Sequence, residues 1–351
     1  MREDWKAYLS NAGANIEGDT TLDFGNVTRE LKATPNGSII SDLSHLGLIA
    51  AYGDDARHFL QNQLTNDISL VSESLSQLNG YCNPKGRLFT LFHVFQRGDT
   101  FYLQLPRELI EPLLKRLRMF VLNSKVTLED ASDSLVRIGY ASTKAEQELA
   151  TVFATLPKND YDAIFSDDVT VMRLPSPSIP RYEIIGEPEA LKKIWEKLDV
   201  NAAPVGSDAW TLLEVLSGQP CVVEQTSEEY VPQMLNLDVI NGVSFKKGCY
   251  PGQEIVARVK YLGKIKRRMY LAFADVDTAP IAGAPIFRAN DGKGASVTGS
   301  TVRAATGVDG GYNVLVVLET SHANDELFVD ESCEQPLKLM DLPYAVEIEG
   351  S

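Results

Sequence analysis

Cysteine is scarce in this chain and widely scattered. Cys82, Cys221, Cys249 and Cys333 form no Cys-x-x-Cys pair, which excludes a disulfide framework and a zinc or iron–sulfur site built from this chain alone, so no metal is expected. No apolar run is long enough to span a membrane, and the opening Met1-Arg2-Glu3-Asp4-Trp5 lacks the charged-then-apolar pattern of a signal peptide. The expectation is a cytoplasmic protein with no membrane partner. Basic residues are outnumbered, 33 Lys and Arg against 48 Asp and Glu, for a formal net charge of −15. That balance disfavours general adhesion to nucleic acid.

What is present begins with size. A chain of 351 residues exceeds the usual single core, so two or three domains are expected. Its chemistry concentrates in Lys246-Lys247-Gly248-Cys249-Tyr250-Pro251-Gly252-Gln253-Glu254, continuing Ile255-Val256-Ala257-Arg258. A strand-like run with Val239, Ile240, Val243 and Phe245 leads into it. Pro251 suits the first turn of a helix, which places Cys249 at or just before a helix N-terminus. Free N–H groups there, with Lys246 and Lys247 adjacent, favour a thiolate. Gly248 and Gly252 suit tight turns or close approach of a ligand. A buried structural thiol is the bland alternative for Cys249.

Charge is uneven around this stretch. Residues 246–268 hold eight basic residues and one acid, Glu254, a local balance of +7, so the remainder carries −22. Lys246, Lys247, Lys260, Lys264, Lys266, Arg267 and Arg268 are the candidate contacts to an anionic ligand. A folate polyglutamate tail and an RNA phosphate suit them equally, and a solvated loop is the plain alternative.

Along the chain, residues 1–37 are polar and Gly/Asn-rich and read as an N-terminal extension. Strands are expected around Ile39 to Leu43 and Gly47 to Tyr52, then a helix with Ala56, Phe59, Leu60 and Leu64 on one face. Leu88 to Phe95 and Phe101 to Leu105 read as a hairpin, Arg107 to Phe120 as a helix with a basic last turn, and Val126 to Leu128 and Val136 to Tyr140 as further strands. From about residue 143 a second strand–helix pattern begins, with strands at Val169 to Leu174 and Arg181 to Ile185 and a helix from Pro188 to Leu198. Gly206-Ser207-Asp208 caps a helix opened by Trp210 and stopped by Gly218 and Pro220. After Arg268, short strands separated by Asn290-Asp291-Gly292 and Asp309-Gly310-Gly311 predict a small β-barrel. The class is α+β.

The phrase Lys247-Gly248-Cys249-Tyr250-x-Gly252-Gln253-Glu254 resembles the signature of the YgfZ family, folate-binding proteins linked to tRNA modification and related to the aminomethyltransferase of the glycine cleavage system. Leu60-Gln61-Asn62-Gln63-Leu64-Thr65-Asn66-Asp67, Tyr230 to Asp238 and Leu342-Pro343-Tyr344 resemble the family too, so the likeness runs over residues 38–348. It implies a GcvT-like three-domain arrangement: residues 38–142 plus 205–265 as the folate domain, 143–204 as a ferredoxin-like insertion, and 266–351 as the barrel. It implies tetrahydrofolate or a one-carbon derivative as ligand, free or polyglutamylated. The site it implies draws on Trp210, Glu214, Tyr250, Gln253, Glu254 and Arg258, with Cys249 as the catalytic thiol. Relatives carry a second Trp where this chain has Leu46, and an acid where it has Leu216. The aminomethyltransferase has paired acids where this chain has Thr90 and Leu91, so the glycine-cleavage reaction itself is not expected. Expected instead is a monomeric folate-binding auxiliary of iron–sulfur enzymes or assembly proteins, acting in tRNA modification, with tRNA as a further partner. A folate-dependent one-carbon transferase for protein or RNA, and a tRNA-binding module with a structural cysteine, are the alternatives.

Overall fold

The computed structural model describes residues 1–346 apart from 167, 262 and 291–293; the Asp291-Gly292 part of the expected barrel turn lies outside the described residues. The chain divides into two compact units, one of Met1–Phe59, Ile68–Gln77 and Phe92–Leu213, the other of Leu60–Asp67, Leu78–Leu91 and Glu214–Ser351.

The first unit is built on a six-stranded sheet in the order Ala163–Ser166, Val169–Leu174, Arg181–Gly186, Val136–Ala141, Ile39–Asp42, Ala203–Val205. All neighbours are antiparallel except the last pair. Side chains alternate between faces along a strand, and the two faces here have different work. Ile40, Ile138, Tyr140, Tyr182 and Ile184 build an apolar core with helix Pro188–Leu198, whose Leu191, Ile194, Trp195 and Leu198 form a buried stripe at helical spacing. Pro188 opens that helix, where a missing N–H costs nothing. The other face belongs to a second core, with Met172 and Ile185 meeting Leu48, Ala50 and Phe95. There Leu46–Tyr52 pairs with Thr100–Pro106 and Thr127–Asp130, and Thr100–Pro106 with the end of Leu88–Arg97.

Two expectations change here. Residues 143–204 are no domain of their own, because their strands continue one sheet with Val136–Ala141 and Ile39–Asp42. Residues 1–37 are not an extension either. Helix Glu3–Asn11 buries Trp5 and Leu9 completely in the core against Trp195. Trp5 Nε1 donates to the buried carboxylate of Asp42 at 2.8 Å, joined by Thr21 Oγ1, Ser44 Oγ and Ser44 N. The Gly/Asn-rich composition hid this, since only a few apolar side chains anchor the segment.

The second unit contains a closed barrel. Arg267–Ala274, Tyr312–Glu319, Gly294–Thr306, Pro285–Asn290, Leu327–Phe328 and Pro336–Met340 follow one another around it, and the last pairs back onto the first through Leu271 and Met340. Closure gives each of these strands a neighbour on both sides. Its interior holds Ala272, Val314, Val316, Leu318 and Leu337. Among the described residues no helix is long and apolar enough to cross a membrane.

Candidate functional site

The lysine-rich segment is a folded loop. No strand forms at residues 239–245; short turns follow the 3₁₀ helix Pro232–Leu235 instead. Helix Gln253–Tyr261 starts four residues after Cys249. Pro251 therefore does not open the helix. Tyr250, Pro251, Gly252 and Gln253 make a type II turn, closed by Gln253 N–H to Tyr250 O at 3.2 Å with Gly252 at φ +80°. An added Cβ at Gly252 would stand 2.4 Å from Asn83 O and 2.6 Å from Gly86 Cα, so only glycine serves. Gly248 differs: a Cβ there meets nothing within 4 Å, and the space beside Cys249 is open.

The loop is tied to the family-like segment of residues 60–67, which the sequence separates by some 180 positions. Thr65 accepts from Ser244 N and Gly80 N and donates through Oγ1 to Gly242 O. Asn66 Nδ2 donates to Asn241 O at 2.6 Å. Lys247 completes the tie. Its Nζ is turned inward, donating to Leu64 O and Asn66 O and lying 5.4 Å from the centre of the Tyr250 ring. Lys247 is thus not an accessible anion contact but a buried brace, with a pKa lowered to about 8 by burial, partly offset by Asp67. Tyr250 is also buried, and burial raises its phenol beside Cys82. What the loop leaves in water is Lys246, Gly248 and Cys249.

Lys247 yields a pH test with a definite sign. The unfolded chain keeps the amine protonated up to roughly pH 10.4, whereas the folded protein releases the proton near 8. Between those values the unfolded state binds more protons, so stability rises with pH. Wild type is expected to gain on the order of 2 kcal/mol relative to Lys247→Met across that window, and to keep a constant difference below it. Urea midpoints measured over the range decide this; a constant difference throughout would put the amine in water.

Other expected contacts are also committed elsewhere. Arg268 is buried in a bidentate pair with Asp238, at 2.6 and 3.0 Å, and also donates to Gln233 O; it fastens the barrel and is not available to a ligand. Arg258 pairs with Glu254 at 2.8 Å on the exposed helix face, and Arg267 with Glu319 at 2.8 Å. Glu214 accepts from Arg303 at 2.6 Å. Gln253 is half-buried, while Lys246, Lys260, Lys264 and Lys266 are exposed.

Trp210 lies in the first unit. It is 1% exposed, so it is a wall and not an open stacking platform. Its six-membered ring covers Gly139, where a Cβ would come within 2.6 Å of it, and the Arg181 guanidinium sits 5.4 Å from the ring centre. Gly139 is opposite Glu183 in the sheet. Glu183 is 1% exposed and accepts from Gln104 Nε2 at 3.0 Å. Gln104 Oε1 is buried and has no hydrogen-bond partner among the described residues. Arg137, on the same strand face as Gly139, donates to Leu46 O, and burial lowers its pKa to about 10 against the pull of Glu183 and Asp42. Buried polar groups are costly unless paired, so Gln104, Arg137, Arg181 and Glu183 clustered about Trp210 mark a place built for polar recognition. Sequence reading passed over them. Their signal was a polar residue at every second place in strands otherwise apolar, Arg181 and Glu183 above all.

The family model of the GCVT N-terminal domain matches residues 7–247. The chain is 32% identical over 305 residues to the tRNA-modifying protein YgfZ of Yersinia enterocolitica, covering 87% of this chain and 92% of the relative. It belongs to the YgfZ family. A Colwellia psychrerythraea YgfZ is 37% identical over 230 residues, 65% of this chain and 69% of that one. In fold, this YgfZ-family chain matches the glycine cleavage system aminomethyltransferase T from Bartonella henselae with a TM-score of 0.75, at 18% identity over 96% of this chain and 95% of the other. The GcvT-like α+β fold with its C-terminal barrel, expected from the signature, is therefore what the chain adopts.

Proposed function

We propose that this protein binds tetrahydrofolate or a one-carbon derivative and supports iron–sulfur-dependent tRNA modification in the cytoplasm, with Cys249 as its reactive thiol. The observation that carries the reading is how much structure holds one thiol in the open. A buried lysine, Thr65, Asn66 and an obligatory glycine fix a loop in which Cys249 is exposed. Cys82, by contrast, is buried, and burial raises its thiol. A rigid, accessible thiol is what an iron–sulfur enzyme or assembly protein can engage.

The polar cluster of the first unit fits a pterin. Glu183 supplies a carboxylate and Gln104 an unused buried acceptor for ring N–H groups, while Trp210 backs Arg181 and holds the wall. When bound, tetrahydrofolate supplies a one-carbon carrier. The chain's own residues select and orient it in a site with little water, where a charge-assisted hydrogen bond is strong.

Tryptophan fluorescence during tetrahydrofolate titration tests this. Trp5 and Trp195 sit together on the opposite face of the sheet, 5.9 Å apart, so most quenching should come from Trp210 and vanish in Trp210→Phe. Glu183→Gln is expected to weaken binding about 10- to 100-fold, the worth of one hydrogen bond to a charged group. Equal quenching and affinity in all three proteins would remove folate from this cluster.

A further inference from the structure

Beyond Cys249 the surface carries an aromatic side chain that the fold leaves uncovered. Tyr261, the last residue of helix Gln253–Tyr261, is 67% exposed. Its ring meets Phe245 edge-on, with centroids 6.1 Å apart, and Lys260 Nζ lies 5.5 Å from the Phe245 ring centre. Lys246 and Lys260 adjoin this pair in sequence, and Lys264 and Lys266 follow the helix; all four are exposed. None of their amines pairs with a carboxylate among the described residues, whereas Arg258, Arg267 and Arg268 are each matched to an acid. Ion pairing of these arginines and the burial of Lys247 thus leave the basic island four exposed lysines. Lys264 and Lys266 also border a 740 Å³ groove walled by Met234, Val259 and Ile265.

We infer that this surface binds an unpaired stretch of RNA, with a base stacked on Tyr261 and Phe245 and successive phosphates on the four lysines. The inference rests on the proposed role in tRNA modification and adds the form of the partner: a loop or an end, not a duplex. Stacking on an aromatic side chain needs an unpaired base, and an RNA duplex would leave the exposed ring without use. An acidic peptide would satisfy the lysines but would gain nothing comparable from the ring. Elsewhere the chain is strongly acidic, so a polyanion is steered to this face and repelled from others.

Fluorescence anisotropy of the full-length protein with a labelled, unstructured oligoribonucleotide tests it. Wild type is expected to bind more weakly as salt rises, and Tyr261→Ala to lose about tenfold in affinity, while Tyr261→Phe stays near wild type. Replacing Lys264 and Lys266 together by alanine should reduce the slope of log affinity against log salt by about 1.4, roughly 0.7 for each phosphate that is no longer neutralised. Annealing the RNA to its complement should abolish the effect of Tyr261→Ala. The inference is overturned if Tyr261→Ala binds like wild type, if the double variant keeps the full salt slope, or if the protein binds anionic phospholipid vesicles and not the RNA. Affinity for monoglutamyl tetrahydrofolate, which has no polyglutamate tail to reach the lysines, should be unchanged in all these variants. A wild type that binds RNA but no folate would remove the folate reading and leave this one standing.

Discussion

Replacing Trp5 by alanine is expected to destabilise the protein by about 3–5 kcal/mol, the usual cost of truncating a fully buried large aromatic. Trp5 is 0% exposed, stacks on Tyr8 at 5.2 Å and meets Trp195 edge-on. Its loss also takes one donor from Asp42, whose carboxylate is wholly enclosed. Trp5→Phe largely separates the two effects, since it keeps most of the volume and removes the Nε1–H. Burial raises the folded pKa of Asp42, while Trp5, Ser44 and Thr21 pull it back down. Without the Trp5 donor that pKa rises further. A raised folded pKa gives stability that is present below the unfolded value of about 3.9 and is lost as pH climbs through the folded one. The deficit of Trp5→Phe against wild type should therefore be small in acid and grow toward neutrality. Urea unfolding at several pH values reads both. A midpoint for Trp5→Ala that matches wild type would return residues 1–37 to the status of an appendage.

Cys249→Ala is the variant expected to separate folding from function most completely. The side chain is exposed on a loop held by other residues, so its removal opens no cavity and should leave the unfolding midpoint within about 0.5 kcal/mol of wild type. In a strain lacking the protein, the variant is expected to give no restoration of iron–sulfur-dependent tRNA modification, measured as the modified nucleoside in digested tRNA. Cys82→Ala offers the contrast. That thiol is buried, and its loss should lower stability while modification persists. Alkylation of the native protein should mark Cys249 well before Cys82, because access governs the rate. Full restoration by Cys249→Ala, with tetrahydrofolate still bound, would show that the loop shapes a surface and that the thiol is dispensable.

Much of the fold was legible because its elements carry strong local patterns. Helix Pro188–Leu198 is bounded as its opening proline and apolar stripe predict. The basic last turn of Ile110–Arg118 follows from its dipole. The barrel strands Gly294–Thr306 and Tyr312–Glu319 fall on either side of the Asp309-Gly310-Gly311 turn that announced them. The thiol loop was legible as a motif but not as a shape. Val239, Ile240, Val243 and Phe245 look like a strand, yet their backbone is spent on turns that meet Thr65 and Asn66. Pro251-Gly252 carries two readings, a helix start and a type II turn, and the approach of Asn83 and Gly86 selects the second.

The sequence by itself determined the class and the family, since each rests on residue identity over a short span. Composition, periodicity and one dense signature are local properties. Tertiary structure alone decided which charges remain available. Lys246 and Lys247 are neighbours of one type, but one stands in water and the other braces two backbone carbonyls. Arg268 is buried against Asp238, while Lys266, two places earlier, is exposed. It also decided that Trp5 belongs to the core and that Gln104, Arg137, Arg181 and Glu183 converge on Trp210. The reason is physical: the energy of a charge or a buried polar group is set by what surrounds it, and its partners lie tens to hundreds of positions away in the chain.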